Sequence, residues 1–135
     1  MGIAAIDHVN VRTAEPARAI AFYRDVLGMR FQPFPGHVDG ARGGWMLDDG
    51  DHAAVHIGSA ALAYPSDDAV PWQAGATQGA LHHVALACTD RDAIETRLAA
   101  QGVGWTAHRI DAVELTQLFV IDPDGILLEL NFHEP

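Results

Sequence analysis

The side chains that could do chemistry here are dominated by histidine: the chain carries eight histidines, one cysteine and no lysine in 135 residues. Histidine ligates metals through a neutral ring nitrogen and exchanges protons near neutral pH, so its placement decides its role. Four ionisable residues stand inside stretches that otherwise read as β-strands. They are His8 in I-A-A-I-D-H-V-N-V, His56 in A-A-V-H-I-G, His83 in L-H-H-V-A-L and Glu129 in I-L-L-E-L-N-F. Side chains alternate between the two faces of a strand. Val9 and Val11 therefore oppose His8 and Asn10, Val55 and Ile57 oppose His56, Val84 and Leu86 oppose His83, and Leu128, Leu130 and Phe132 oppose Glu129 and Asn131. In each strand one face packs as core, and the other carries one ionisable group among small or apolar neighbours.

An ionised carboxylate in the setting of Glu129 is costly unless it is paired, hydrogen-bonded or bound to a cation. No lysine exists to pair with it. Three imidazoles and a carboxylate make a ligand set for one divalent metal ion, such as zinc, nickel, cobalt, manganese or iron(II). Of the other histidines, His82 should point away from His83 as a rim or packing residue; His37, His52, His108 and His133 lie in loops or at element ends and receive no role. Cys88 reads as a small strand-end residue. Trp45, Met46 and Phe34 are candidates for an apolar wall.

The elements that must position these residues occur twice in the same order. Ile3 to Val11 reads as a strand, Thr13 as a helix cap, and Pro16 to Leu27 as an amphipathic helix stopped by Gly28. Strands follow at Met29–Phe34, from Trp45, and at Ala53–Gly58, with a glycine-rich loop over 36–44 and a hairpin turn at Asp48–Asp51. Residues 59–79, rich in Ala, Ser, Asp, Pro and Gly, read as a linker with room for a short helical turn. Then Leu81–Cys88 is a strand, Thr89 a cap, Asp90–Ala100 a helix stopped by Gly102, and Val103–Ile110, Val113–Ile121 and Ile126–Phe132 are strands. At a shift of 75 residues, I-D-H-V at 6–9 falls on L-H-H-V at 81–84. His8 and His56 are 48 residues apart and His83 and Glu129 are 46 apart, so the four sit at equivalent places in two halves.

The expected fold is α+β: one domain over 1–135 built of two βαβββ modules, 1–58 and 80–135. Their curled mixed sheets would face each other as a metal-binding cup. A net charge of −10, with 18 acidic residues against eight arginines, makes nucleic acid an improbable partner. No apolar run approaches the roughly 18 residues that span a bilayer, and no secretory leader is legible, so no membrane partner and a cytoplasmic address are expected.

The segments I-D-H-V-N-V, A-F-Y-R-D-V-L-G-M, A-V-H-I, L-H-H-V-A-L and F-V-I-D-P-D-G-I-L-L-E-L together resemble the vicinal oxygen chelate superfamily. That superfamily includes glyoxalase I, methylmalonyl-CoA epimerase, extradiol dioxygenases and the fosfomycin and bleomycin resistance proteins. The resemblance implies paired βαβββ modules around a divalent metal, held here by His8, His56, His83 and Glu129, and it implies a homodimer acting on a small molecule. A lyase or isomerase of the glyoxalase type is the favoured activity: the metal acts as a Lewis acid on two vicinal substrate oxygens while Glu129 moves a proton. Asn10, Gln117 and Asn131 would orient the substrate or the ligands, with a helix-facing position equally open to Gln117. In the small bacterial glyoxalase-like branch a histidine is expected before that glutamine; here Thr116 stands there. Two alternatives remain open. One is an iron(II) extradiol dioxygenase using His8, His83 and Glu129, with His56 as an acid/base beside them; the other is a metal-free, ligand-sequestering resistance protein.

Overall fold

A computed structural model describes residues 2–35, 42–75 and 79–135, and its packing divides the chain into two units, Met1–Ala76 and Thr77–Pro135. In the first, β1 (Val9–Thr13), β2 (Arg30–Pro33), β3 (Gly43–Leu47) and β4 (Ala53–Ser59) form a sheet in the order β1-β4-β3-β2. β1 runs parallel to β4, while β3 is antiparallel to both β4 and β2. Helix α1 (Pro16–Ala21) lies between β1 and β2 and continues as a π-helical turn over Phe22–Val26. Ala19, Ile20, Phe22, Tyr23 and Val26 on this helix are buried, as are Val11, Met46, Val55 and Ile57 on the sheet. Burying these side chains contributes the main driving force of the unit, at roughly 1.5–3 kcal/mol for each large aliphatic or aromatic one.

The second unit repeats the plan. β5 (Val84–Ala87), α2 (Arg91–Ala100), β6 (Thr106–Ile110), β7 (Leu115–Ile121) and β8 (Leu127–His133) follow in order, and the sheet runs β5-β8-β7-β6. β5 is parallel to β8, and β7 pairs antiparallel with β8 and β6. Its core is Ile94 and Leu98 of α2 with Leu118, Val120, Leu128, Leu130 and Phe132. Two four-stranded mixed sheets, each with one crossover helix, are thus the α+β fold of tandem βαβββ modules. Among the described residues no helix is long and apolar enough to cross a membrane.

Regular pairing of the first strand starts only at Val9, opposite Val55; residues 3–8 are exposed and belong to no strand. Apolar alternation marks a segment able to pair, but a partner strand has to lie alongside. Thr13 does not cap the helix: it ends β1, is buried, and its hydroxyl accepts the Glu15 N–H at 3.0 Å, so Glu15 becomes the N-cap without a side-chain bond. In the second unit the cap is Asp90 rather than Thr89, its carboxylate accepting the Ala93 N–H at 3.4 Å. The helix expected over 16–27 is α-helical only to Ala21. It then widens, with the Leu27 N–H reaching back to the Phe22 carbonyl at 3.3 Å, and ends at Gly28 with φ +79.

The segment after β4, expected as a linker, is docked onto the first unit. A short helical turn at Pro65–Asp68 offers Asp67 to Arg12 of β1 at 2.8 Å, and Tyr64 lies under the same guanidinium, 4.2 Å from its ring centre. Gly43 opens β3 at φ +103, where a Cβ would run into the Ile57 carbonyl, so the close approach of β3 to β4 requires glycine there. The rest of the glycine-rich loop, residues 36–41 with His37, lies outside the described residues.

Candidate functional site

In the first unit the parallel β1–β4 ladder sets Asn10 opposite His56, and His8 stands one residue before β1. The two imidazoles stack face to face, ring centres 3.6 Å apart and 6° from parallel. Two protonated rings at that spacing would repel. Burial, and then the charge of His8, hold the His56 pKa below its ordinary value, which favours the neutral ring with a free lone pair. Asp7 accepts at its Oδ2 from His8 Nδ1 at 2.5 Å, and this hydrogen bond keeps its carboxyl below the usual range. The ring of His52, to which no role was given, meets the main-chain carbonyl of Asp7 through Nε2. Trp45 is the cross-strand neighbour of His56, ring centres 6.1 Å apart, and Phe34 packs edge-on against Trp45 at 5.9 Å. Met46 is wholly buried on the other face of β3, so it belongs to the core and to no wall.

In the second unit His83 stands one residue before β5, matching His8 before β1. Its Nε2 is 3.9 Å from Glu129 Oε1, and the Glu129 side chain is 15% exposed. The Asn131 amide donates to Glu129 Oε2 at 3.0 Å, and the Gln117 amide donates to Asn131 Oδ1 at 3.3 Å. The three form a hydrogen-bonded row on one face of β7 and β8, while Thr116, Leu118, Leu128, Leu130 and Phe132 are buried on the other. That settles the face of Gln117: it is with Glu129 and away from the helix layer. Thr116 is buried and accepts from Arg109 at 2.9 Å, so position 116 does not share the Glu129 face. His82 does not turn away from His83, as alternation had implied; their Nδ1 atoms are 3.0 Å apart.

Each unit therefore brings together its own pair from the sequence-derived set, His8 with His56 and His83 with Glu129. Among the described residues no group of three or more histidine, cysteine or acidic side chains gathers within either unit to hold a metal. By donor chemistry each pair taken by itself nonetheless suits a divalent metal. One pair offers neighbouring imidazoles with one ring kept neutral. The other offers a largely covered carboxylate whose neighbours are an amide and an imidazole, with no arginine reaching it among the described residues. Asp7 and His82 are the residues that sequence reasoning missed. Their signal was the alignment of I-D-H-V with L-H-H-V, which places them at equivalent positions.

Comparison with known proteins decides the family. The model of the Glyoxalase/Bleomycin resistance protein/Dioxygenase superfamily matches residues 5–130. The chain belongs to that superfamily. A plant superfamily relative, "Glyoxylase I 4" of Arabidopsis thaliana, is 24% identical over 130 residues, covering 95% of this chain and 70% of its own length. Among solved structures, a putative glyoxalase family protein from Bacillus anthracis aligns with a TM-score of 0.69 at 22% identity, covering 98% of this chain and 97% of its own. A lactoylglutathione lyase from Agrobacterium tumefaciens aligns with a TM-score of 0.66 at 20% identity, covering 97% and 95%. At these identities the structural likeness speaks for the superfamily fold alone.

Proposed function

We propose that this chain is a divalent-metal-dependent enzyme of the glyoxalase-like lyase/isomerase type, in which His8, His56, His83 and Glu129 together hold one metal. The observation that carries the reading is Glu129: a covered carboxylate held by Asn131 beside His83, at the position where the other half carries His56. The proximity of His56 to His8, ring centres 3.6 Å apart, supports counting His56 among the ligands rather than as a separate acid/base.

The metal, when bound, supplies a Lewis acid that polarises two adjacent oxygens of a small substrate. Glu129 would take the proton from the carbon that bears the hydroxyl and return it to the adjacent carbonyl carbon, while the hydroxyl proton passes to the former carbonyl oxygen, so no atom is gained or lost. The Asn131 N–H fixes Oε2 of that carboxylate, and Gln117 in turn orients the Asn131 amide. Asn10, across from His56, would meet the polar part of the substrate and Trp45, beside it, the apolar part. The active form is a homodimer working on a small molecule in the cytoplasm.

The test is solvent-deuterium exchange at the carbon next to the carbonyl, run on a panel of α-hydroxyketones and thiol adducts of α-ketoaldehydes with metal-loaded protein. Exchange that is abolished in Glu129→Gln supports the proton-transfer reading. Oxygen uptake with catechols and no exchange would replace it with the dioxygenase. Tight binding of a drug-like ligand without turnover or metal would replace it with a resistance protein.

A further inference from the structure

In both halves the histidine that precedes the first strand has its Nδ1 engaged by the side chain of the residue before it. His8 Nδ1 is 2.5 Å from Asp7 Oδ2, and His83 Nδ1 is 3.0 Å from His82 Nδ1. Asp7 and His82 fall on each other at the 75-residue shift. One is a carboxylate and the other an imidazole, so the arrangement recurs on different chemistry. Consecutive side chains of a regular strand point to opposite faces and cannot meet in this way. They meet here because residues 7–8 and 82–83 lie just ahead of the paired strands, outside the ladder. In the first unit the backbone there is held from a second side, by the His52 ring on the Asp7 carbonyl. The consequence for His83 is visible directly: with Nδ1 taken, Nε2 is the nitrogen that faces Glu129, 3.9 Å away.

We propose that Asp7 and His82 are positioning residues that fix the ring orientation and tautomer of His8 and His83. Each accepts the proton carried on Nδ1 of the following histidine and leaves the Nε2 lone pair for the metal. Which ring nitrogen binds a metal is set by the hydrogen bond that the other one makes, and a carboxylate partner also raises the basicity of the ligand. Asp7 carries a full charge and His82 does not, so the effect is larger on His8. The proposal rests on the reading of His8 and His83 as ligands.

The experiment has two readouts. Long-range proton–nitrogen NMR of the metal-free protein reports the tautomer of each ring, and titration with cobalt(II), followed by absorption, reports affinity. In the wild type both rings should carry their proton on Nδ1. Asp7→Ala should mix the tautomers of His8 and weaken cobalt binding by about ten- to a hundredfold. Asp7→Asn, whose amide oxygen can still accept the N–H, should restore most of both, which a merely misfolded variant would not do. His82→Ala should act on His83 in the same direction with a smaller loss. A wild-type His8 protonated on Nε2, or an Asp7→Ala variant with unchanged tautomer and affinity, would overturn the positioning roles. Failure of the wild type to bind cobalt would instead overturn the ligand reading on which they rest.

Discussion

Glu129 is a base only if its carboxylate is ionised, held and close to a substrate carbon. Among the described residues its polar neighbours are Asn131 and His83, neither a permanent cation. Replacing it with glutamine keeps the size and the Asn131 contact but removes the base. Turnover in Glu129→Gln should fall by roughly 10²–10⁴-fold, the range expected for loss of a general base, with larger losses if metal is lost too. His56 sets a pH dependence. Its pKa is lowered in the fold by burial and by His8, so the unfolded chain binds the proton more readily. Stability from this group is therefore complete above its ordinary value of 6.5 and is lost as pH falls below it towards the depressed folded value. Thermal unfolding of the metal-free protein between pH 5 and 8, read as about those limits for histidine titration, should show this loss in the wild type and a smaller one in His56→Gln. His56 and Glu129 stand out in the sequence as ionisable exceptions within strands, and His8 and His83 as histidines next to a strand start, with the repeat setting one of each kind in either half. Asp7 and His82 do not stand out, because their roles depend on side-chain rotation ahead of the strands, which alternation does not describe.

At the scale of elements, periodicity in the sequence marked each of the described strands and α-helices, while their ends moved. β1 lost its first six expected residues because no described strand of its unit pairs with them, and α2 took its cap from Asp90, one residue later than expected. The 59–79 stretch has the composition of a linker, yet an arginine on β1 makes part of it a strap, a long-range pairing that no local pattern announces. Breaking that pairing with Asp67→Ala should speed amide exchange in residues 60–68 while leaving β6–β8 unchanged, as mass spectrometry of exchanged peptides would show. Helix α2 is attached through Ile94 and the fully buried Leu98. Leu98→Ala should cost about 2–5 kcal/mol in a urea unfolding experiment, the range for emptying a leucine site in a core.

At the scale of the molecule, duplication explains why one pattern appears twice with different chemistry in it. Equivalent positions carry His56 in one half and Glu129 in the other, so the same place in the fold holds an imidazole in the first unit and a carboxylate in the second. Superfamily membership accounts for the scaffold, and the proposed reaction would rest on the residues mounted on it. The central claim is that both pairs serve one metal, and it is tested by elemental analysis of purified protein reconstituted with zinc, nickel, cobalt, manganese or iron(II) and then dialysed. About one equivalent per chain in the wild type, lost in both His56→Ala and Glu129→Ala, is the expected result. Metal lost from Glu129→Ala but kept by His56→Ala would move the assignment to a three-ligand dioxygenase site. No metal in the wild type with any of these ions, or full metal in both variants, would contradict the claim.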